Sequence, residues 1–338
     1  MRLARDDGDR KAPQWLRVVL WVLGLGSIAV ALIPLVRGDT WWIRILAFPQ
    51  VQVTIVLMVV AILTALFLNL RRTPPKLLLA AVLATIIYQL TYLLPYTPVW
   101  AKDVRTAEAC AAEDRVRVLV LNVLHKNQQS EPVLDLVSRV NPDMFLAMET
   151  DYWWADALEP VKQAYPHVVS APRDDAWGMM LFSRLPLSSP QVRHPVEGYV
   201  PAIESGVNLP SGKSFQFYGM HPKPPAAHDT TRGDAYLMQV AREIGQNNRP
   251  AMLAGDLNDV PWGWTNQDFQ EASGMQDPRV GRAFDATFTT SNPLARWPLD
   301  HAYVTPHFGI VGFDPLEDVG SDHFPLLADV CLNGQAGR

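Results

Sequence analysis

The chain has 338 residues, room for two domains, and its charge is split: residues 1–113 carry 12 Lys+Arg against 7 Asp+Glu (net +5), residues 114–338 carry 17 against 27 (net −10). So acidic a second part lacks the basic surface that drives tight non-specific attachment to nucleic acid, which disfavours long nucleic acid as a partner. Two cysteines exclude a cysteine-rich zinc site.

A basic opening (Arg2, Arg5, Arg10, Lys11, Arg17) precedes Val18 to Val36, nineteen residues without charge. Ile45 to Leu70 is a second such run and Leu77 to Ala101 a third. Each reaches the roughly 20 residues of helix that cross a hydrocarbon core. Trp15, Trp21, Trp41, Trp42, Tyr96 and Trp100 fall near the run ends, as interface aromatics do. The expectation is a cytoplasmic N-terminus (1–17), three transmembrane helices within 18–101 and a linker (102–114). Ala29-Val30-Ala31 also resembles a signal-peptide cleavage site, and that reading still leaves two spans. The N-terminal basic cluster sets the orientation, putting the Arg71–Lys76 loop inside and the C-terminal domain outside. Pro34, Pro49, Gln50, Gln52 and Gln89 mark either a pathway or polar packing within the bundle.

From Arg115 short apolar runs alternate with polar, Pro-punctuated stretches. Strands are expected at Val116–Leu121, Met144–Met148, Trp177–Phe182, Tyr199–Leu209, Ser214–Met220, Pro250–Ala254, Leu299–Val304 and Phe324–Val330, with helices at Pro132–Val140 and Asp234–Gln246. Strands outnumber helices and do not strictly interleave with them, which favours a layered α+β sandwich over a doubly wound parallel sheet.

Candidate chemistry gathers where these runs stop: Asn122, Glu149, His221-Pro222, Gly255-Asp256-Leu257-Asn258, Asp300-His301 and Ser321-Asp322-His323. Alternation along an extended segment would put Asp256 and Asn258 on one face; an Asx turn is the plainer alternative. Glu149, Asn122 and Asp322 offer the oxygen ligands that Mg²⁺ or Mn²⁺ prefers. His125, His228 and His301 read as ordinary surface or packing residues.

The series Asn122, Glu149, Gly178 to Arg184, His221, Gly255 to Asn258, Asp300 and Ser321 to His323 resembles the endonuclease/exonuclease/phosphatase superfamily, which includes deoxyribonuclease I, apurinic endonucleases, neutral sphingomyelinases and inositol polyphosphate 5-phosphatases. The resemblance spans about 115–331, leaving 332–338 as a tail, and Leu121 to Asn127 with His221-Pro222 are similar to a membrane-anchored bacterial branch. It implies a four-layered α/β sandwich of two mainly antiparallel sheets flanked by helices, and metal-dependent cleavage of a phosphoester. On that likeness Asp256 orients or deprotonates the attacking water and Asn258 donates to a phosphate oxygen. His323 binds phosphate or acts as base, Asp300 holds its other nitrogen, and His221 stabilises the phosphorus centre or protonates the leaving oxygen. Whether Asp256 or His323 takes the proton stays open. Asn127 is a further candidate near the metal, with a solvated loop residue as the alternative. The neighbouring first and last strands of such folds also imply a Cys110–Cys331 disulfide, which would persist in an oxidising compartment.

The functional expectation is a phosphodiesterase or phosphatase of the bacterial inner membrane facing the periplasm. Its substrate would be a phospholipid headgroup or other lipid-linked phosphate, since Trp100 to Val116 reaches at most about 3.5 Å per residue and keeps the domain near the bilayer. Trp153, Trp154, Trp177, Trp262 and Trp264 are candidates for interface contact. The alternatives are a periplasmic nuclease and a non-catalytic membrane receptor or scaffold.

Overall fold

The structure, a computed structural model, describes residues 12–38, 40–194, 200–227 and 231–332. Arg2, Arg5, Arg10, Lys11, His228 and the tail after 332 lie outside the described residues. The chain divides into two compact units, Met1–Leu94 and Pro95–Arg338.

The first unit holds α1 (Gln14–Leu32), the short α2 (Trp41–Ile45), α3 (Gln50–Phe67) and α4 (Thr73–Leu93). Three stretches, Gln14–Leu35, Gln50–Phe67 and Thr73–Tyr96, are helical, long and apolar enough to cross a membrane. Their bounds are shifted from the apolar runs because proline punctuates them. Pro49 precedes α3, and α4 begins with proline in its first turn, where the missing N–H costs nothing. Leu57, Val60, Leu78, Val82 and Ile86 form the seam between helices, while Val22, Leu25, Ile55, Ile62, Leu66, Leu77 and Ile87 face outward. Gln50 and Gln89 hydrogen-bond each other inside the bundle, the polar-packing alternative.

The second unit is the four-layered sandwich. One sheet has the order β10-β11-β1-β2-β4-β3, built from β1 (Arg115–Asn122), β2 (Met144–Met148), β3 (His167–Ala171), β4 (Met179–Ser183), β10 (Phe308–Pro315) and β11 (Leu326–Leu332). The other runs β5-β6-β7-β8-β9, from β5 (Leu187–Arg193), β6 (Ala202–Asn208), β7 (Ser214–Gly219), β8 (Ala251–Asp256) and β9 (Asp300–Val304). Among the described strand pairs, β1–β2 and β7–β8 are parallel and the rest antiparallel. Alternation sorts the side chains by layer. Val116, Val118, Val120, Leu146, Met148, Phe217, Met252 and Ala254 fill the space between the sheets. Leu119, Leu121, Phe145 and Phe182 face the other way, against Val133, Leu136 and Val137 of α5 (Glu131–Val140) and Trp154 of α6 (Tyr152–Ala157). Leu253 and Tyr303 do the same for the second sheet, against Leu237, Val240 and Ile244 of α7 (Thr231–Asn247) and Phe269 of α8 (Trp264–Ser273).

Residues 95–110 are fastened along this second unit. Gly281 N donates to Pro95 O (2.7 Å), the Tyr96 ring packs edge-on to Trp262 (5.6 Å), and Asp277 N donates to Asp103 Oδ2 (3.0 Å). Cys110 is disulfide-bonded to Cys331, their Cα atoms 5.9 Å apart, because β1 pairs antiparallel with β11 and sets Arg115 opposite Cys331.

Candidate active site

Strand direction decides where the polar residues meet. β1 and β2 run parallel, so Asn122 and Met148 end side by side and Glu149 follows. β8 ends at Asp256 opposite Asp300, the first residue of the antiparallel β9. β7 leads to His221, and Ser321 to His323 lie just ahead of β11, which starts at the same end. The close approach of the β7 and β8 ends needs Gly255, whose φ is +146° and where a Cβ would collide with the Met220 carbonyl.

Asp256 is the hub. Its Oδ2 accepts from Asn122 Nδ2 at 3.2 Å and lies 3.5 Å from His323 Nε2 and 3.6 Å from His221 Nε2, while Oδ1 accepts from Asn258 N at 2.8 Å. Asp256, His221 and His323 are all buried. The chain therefore leaves the sheet after Asp256 in an Asx turn, with Asn258 at φ +53°, and the two side chains do not share an extended face. The Asn258 amide instead donates to Pro222 O at 3.0 Å, binding the His221 loop to the end of β8.

His323 Nδ1 is 2.7 Å from Asp300 Oδ2. Burial opposes its charge, but Asp300 and Asp256 outweigh burial and its pKa is pushed up to about 10. Nδ1–H then donates to Asp300 and Nε2–H points at Asp256. Burial in turn raises the Asp256 carboxyl, opposed by His323 and His221. Ser321 fixes this loop: its Oγ donates to Asn122 O at 2.6 Å and accepts from His323 N at 3.1 Å.

Glu149 stands on the other side of Asn122, whose Nδ2 also donates to Glu149 Oε1 (3.0 Å). Burial pushes the Glu149 carboxyl up, but His221, Asn122 and His125 together bring it below its usual value, so it is ionised at neutral pH. Burial raises the Asp322 pKa, opposed by His323 and reinforced by Glu149; its Oδ1 is buried with no partner. An orphaned carboxylate oxygen beside an ionised carboxylate is a hard-oxygen pair that fits Mg²⁺ or Mn²⁺, while Asn122 turns Nδ2 to Glu149 and its Oδ1 accepts from Leu124 N. A second cluster, Asp256, Asp300 and His323, has ligand atoms within 4.8 Å of one another, though a cation there would break the His323–Asp300 bond. Asn127 is buried in the turn after β1, its N donating to Leu124 O (2.7 Å) and its Nδ2 without a partner.

Three features were not marked in the sequence. His125, read there as an ordinary histidine, bonds Glu149 twice, through N and Nδ1, each at 3.1 Å. Trp177 packs on His221 (5.0 Å between rings) and Phe288 on His323 (4.9 Å), giving the two histidines aromatic neighbours. An apolar hollow lined by Val200, Pro201, Ala202, Met220, Pro222 and Tyr236 borders His221. His301 is structural: its pKa is held well down by burial and by Arg279, so Nε2–H donates to Asp259 O (2.9 Å) and Nδ1 accepts from Arg279. Of the five tryptophans expected at an interface, Trp154 and Trp262 are buried, whereas Trp153 is exposed next to Tyr152.

The model of the Endonuclease/Exonuclease/phosphatase family matches residues 119–323, more than half of the chain. The chain belongs to that family. Among solved structures similar to it are an endonuclease/exonuclease/phosphatase family protein from Bacteroides thetaiotaomicron (18% identity, 65% of this chain and 99% of that one, TM-score 0.55) and the catalytic domain of human Nocturnin with bound sulfate (18%, 66% and 96%, 0.51). A third is a mannosyl-6-phosphatase from Bacteroides thetaiotaomicron (20%, 64% and 99%, TM-score 0.52). At these identities the likeness is one of fold. No curated protein matches the chain. The family's hydrolases act on phosphoesters, and the site holds residues able to bind a divalent metal.

Proposed function

We propose that this chain is a membrane-anchored, divalent-metal-dependent phosphoesterase of the bacterial inner membrane, with its active site on the periplasmic side. The observation that carries the chemistry is the convergence of Asn122, His221 and His323 on Asp256 Oδ2, with Glu149 tied to the same Asn122. A proton acceptor and a cationic donor meet at one buried point, with a half-buried carboxylate for metal one residue away across Asn122.

Glu149, Asp322 and Asn122 would hold Mg²⁺ or Mn²⁺, which when bound neutralises charge growing on the phosphate oxygens. Asp256, more basic than an ordinary carboxylate, orients the attacking water and takes its proton. His323 already carries its own proton and so serves as donor to a phosphate oxygen, with Asp300 fixing its ring. His221, with Nε2 3.6 Å from Asp256 Oδ2, stabilises the phosphorus centre or protonates the leaving oxygen. Asn258 acts through its backbone N–H on Asp256 and through its grip on the His221 loop.

The outward apolar faces of α1, α3 and α4 favour a lipid surrounding, and the Lys and Arg distribution favours an outer catalytic unit. The Cys110–Cys331 bond fits that oxidising side. A lipid-linked phosphate suits the exposed Tyr152 and Trp153 and a net charge of −10 over residues 114–338. Several of its cations are also engaged: Arg115 with Asp329, Arg139 with Glu317, Arg173 with Asp175, Lys213 with Asp114 and Arg193 with Glu204.

Full-length protein in nanodiscs, given Mg²⁺ or Mn²⁺ and offered phospholipids, a generic phosphodiester and single-stranded DNA, tests the reading. Hydrolysis lost in Asp256→Asn is expected. DNA cleaved far faster than lipid, with a steep loss on adding salt, would replace it by a nuclease. Hydrolysis unchanged in Asp256→Asn would overturn the mechanism, and no hydrolysis of any of the three by the unaltered protein would leave only a non-catalytic receptor or scaffold.

A further inference from the structure

Of the groups that touch Glu149, one has no part in the chemistry above. The chain turns sharply after β1: Leu124 has φ +60°, its N donates to Asn122 Oδ1 (3.0 Å), and its carbonyl accepts from Asn127 N (2.7 Å) and Trp154 Nε1 (3.4 Å). A left-handed leucine costs free energy that surrounding bonds must offset, and such strain gathers at functional sites. What the turn achieves is to bring residue 125 back over Glu149, itself at φ +60°. His125 N and Nδ1 both reach Glu149 Oε2 at 3.1 Å, while Asn122 Nδ2 holds Oε1 at 3.0 Å. The histidine side chain is 27% exposed and that of Glu149 is 15% exposed.

We infer that His125 is a positioning residue for metal binding: it orients the Glu149 carboxylate so that its remaining lone pair, on Oε1, faces the ion. The inference rests on the proposed role of Glu149 as metal ligand. A carboxylate offers about four acceptor sites, and three are taken here by fixed donors, so rotation of the group is suppressed before an ion arrives. Without His125 the carboxylate keeps the Asn122 bond and one backbone N–H, and is free to turn its Oε2 outward to water. Partners of this kind typically contribute 10- to 100-fold in metal affinity. Because the contact is made by Nδ1, an asparagine, whose Nδ2 occupies nearly the same place as Nδ1, can replace the ring. A glutamine, whose amide nitrogen lies where Nε2 would be, cannot.

The test is Mn²⁺ binding to full-length protein in detergent, read as loss of the free Mn²⁺ electron paramagnetic resonance signal, without substrate. Glu149→Ala serves as reference for the site. The expected result is a dissociation constant raised roughly 10- to 100-fold in His125→Ala and His125→Gln and restored to within a few-fold in His125→Asn. Mn²⁺ affinity in His125→Ala equal to that of the unaltered protein would overturn the inference, as would equal weakening in all three His125 variants. Failure of the underlying reading is distinguishable, since Glu149→Ala would then bind Mn²⁺ as well as the unaltered protein does.

Discussion

His323 Nε2 lies 3.5 Å from Asp256 Oδ2, a donor facing the acceptor that Asn122 and His221 also address. The pair is buried, so both its proton and its geometry are set by neighbours and not by water. Asp256→Asn keeps the shape and removes the basic oxygen; kcat is expected to fall by about 10²- to 10⁴-fold, the usual worth of a general base. His323→Gln is expected to fall comparably, and Asp300→Asn less far, because it frees the ring without removing it. Circular dichroism that stays unchanged while kcat drops separates this from unfolding.

Metal removal should silence the protein reversibly. One or two carboxylates with retained waters hold Mg²⁺ loosely, so dialysis against EDTA is expected to abolish hydrolysis, and Mg²⁺ or Mn²⁺ to restore it. Glu149→Ala should demand much more metal for half-maximal rate. Full activity after exhaustive chelation would refute the mechanism.

Behind Asp300 lies a charge that never meets water. Arg279 is fully buried, donates through Nε to Asp277 Oδ1 (3.0 Å) and through Nη1 to Asp300 O (3.3 Å), and touches His301. Arg279→Met would strand the Asp277 carboxylate in the interior, a loss of about 3–5 kcal/mol. Urea titration followed by tryptophan fluorescence measures it. Replacing Asp277 by Asn in the same chain should recover part of that loss, since the stranded charge is then gone.

The Cys110–Cys331 bond closes a separation of 221 residues. In the chain-entropy model such a loop destabilises the unfolded state by about 5 kcal/mol, a ceiling that strain and residual structure reduce. Cys110→Ser is expected to lower the melting temperature of the second unit, and reductant to do nothing further to that variant. Thiol counting on denatured, unreduced membranes should find no free cysteine. Two free thiols would weaken the outward orientation as well.

Asp285 gives a pH dependence with a definite sign. Burial raises its pKa from 3.8 to about 6. A folded value above the unfolded one means that the ionised form costs stability above about pH 6, and the cost fades as pH falls toward 3.8. Asp285→Asn, which tolerates the same positive φ (+39°), should therefore be more stable than the unaltered protein at pH 7.5 and indistinguishable near pH 4. Melting temperatures at the two pH values decide it.

What could be read from sequence follows burial. Met144–Met148 was legible to the residue because a five-residue apolar run buried on both faces has no other home. The strands that were missed, His167–Ala171, Leu187–Arg193 and Phe308–Pro315, are all at sheet edges, where one side has no neighbouring strand of the sheet and residues such as Ser188, Pro190 and Gly312 are tolerated. In the site, Asn122, Glu149, His221, Asp256, Asp300 and His323 were visible because each stands at or next to the end of an apolar run. The His125 contact was not, since its partner is 24 residues away and the turn that joins them depends on a left-handed Leu124. Asp277-Pro278-Arg279 reads as a polar loop, and nothing local reveals that both charges are sealed inside.

The place of β11 has a consequence for how the protein is made. It lies between β10 and β1, so the first strand of the second unit stays half-paired until the last has been synthesised. At about 5–20 residues per second, the 221 residues between the two cysteines take some tens of seconds to emerge. Through that interval the free edge of β1, apolar on both faces, is open to mispairing with other chains. A cell making this protein must therefore shelter a nascent sheet edge throughout synthesis, and joining Cys110 to Cys331 marks the moment when shelter is no longer needed.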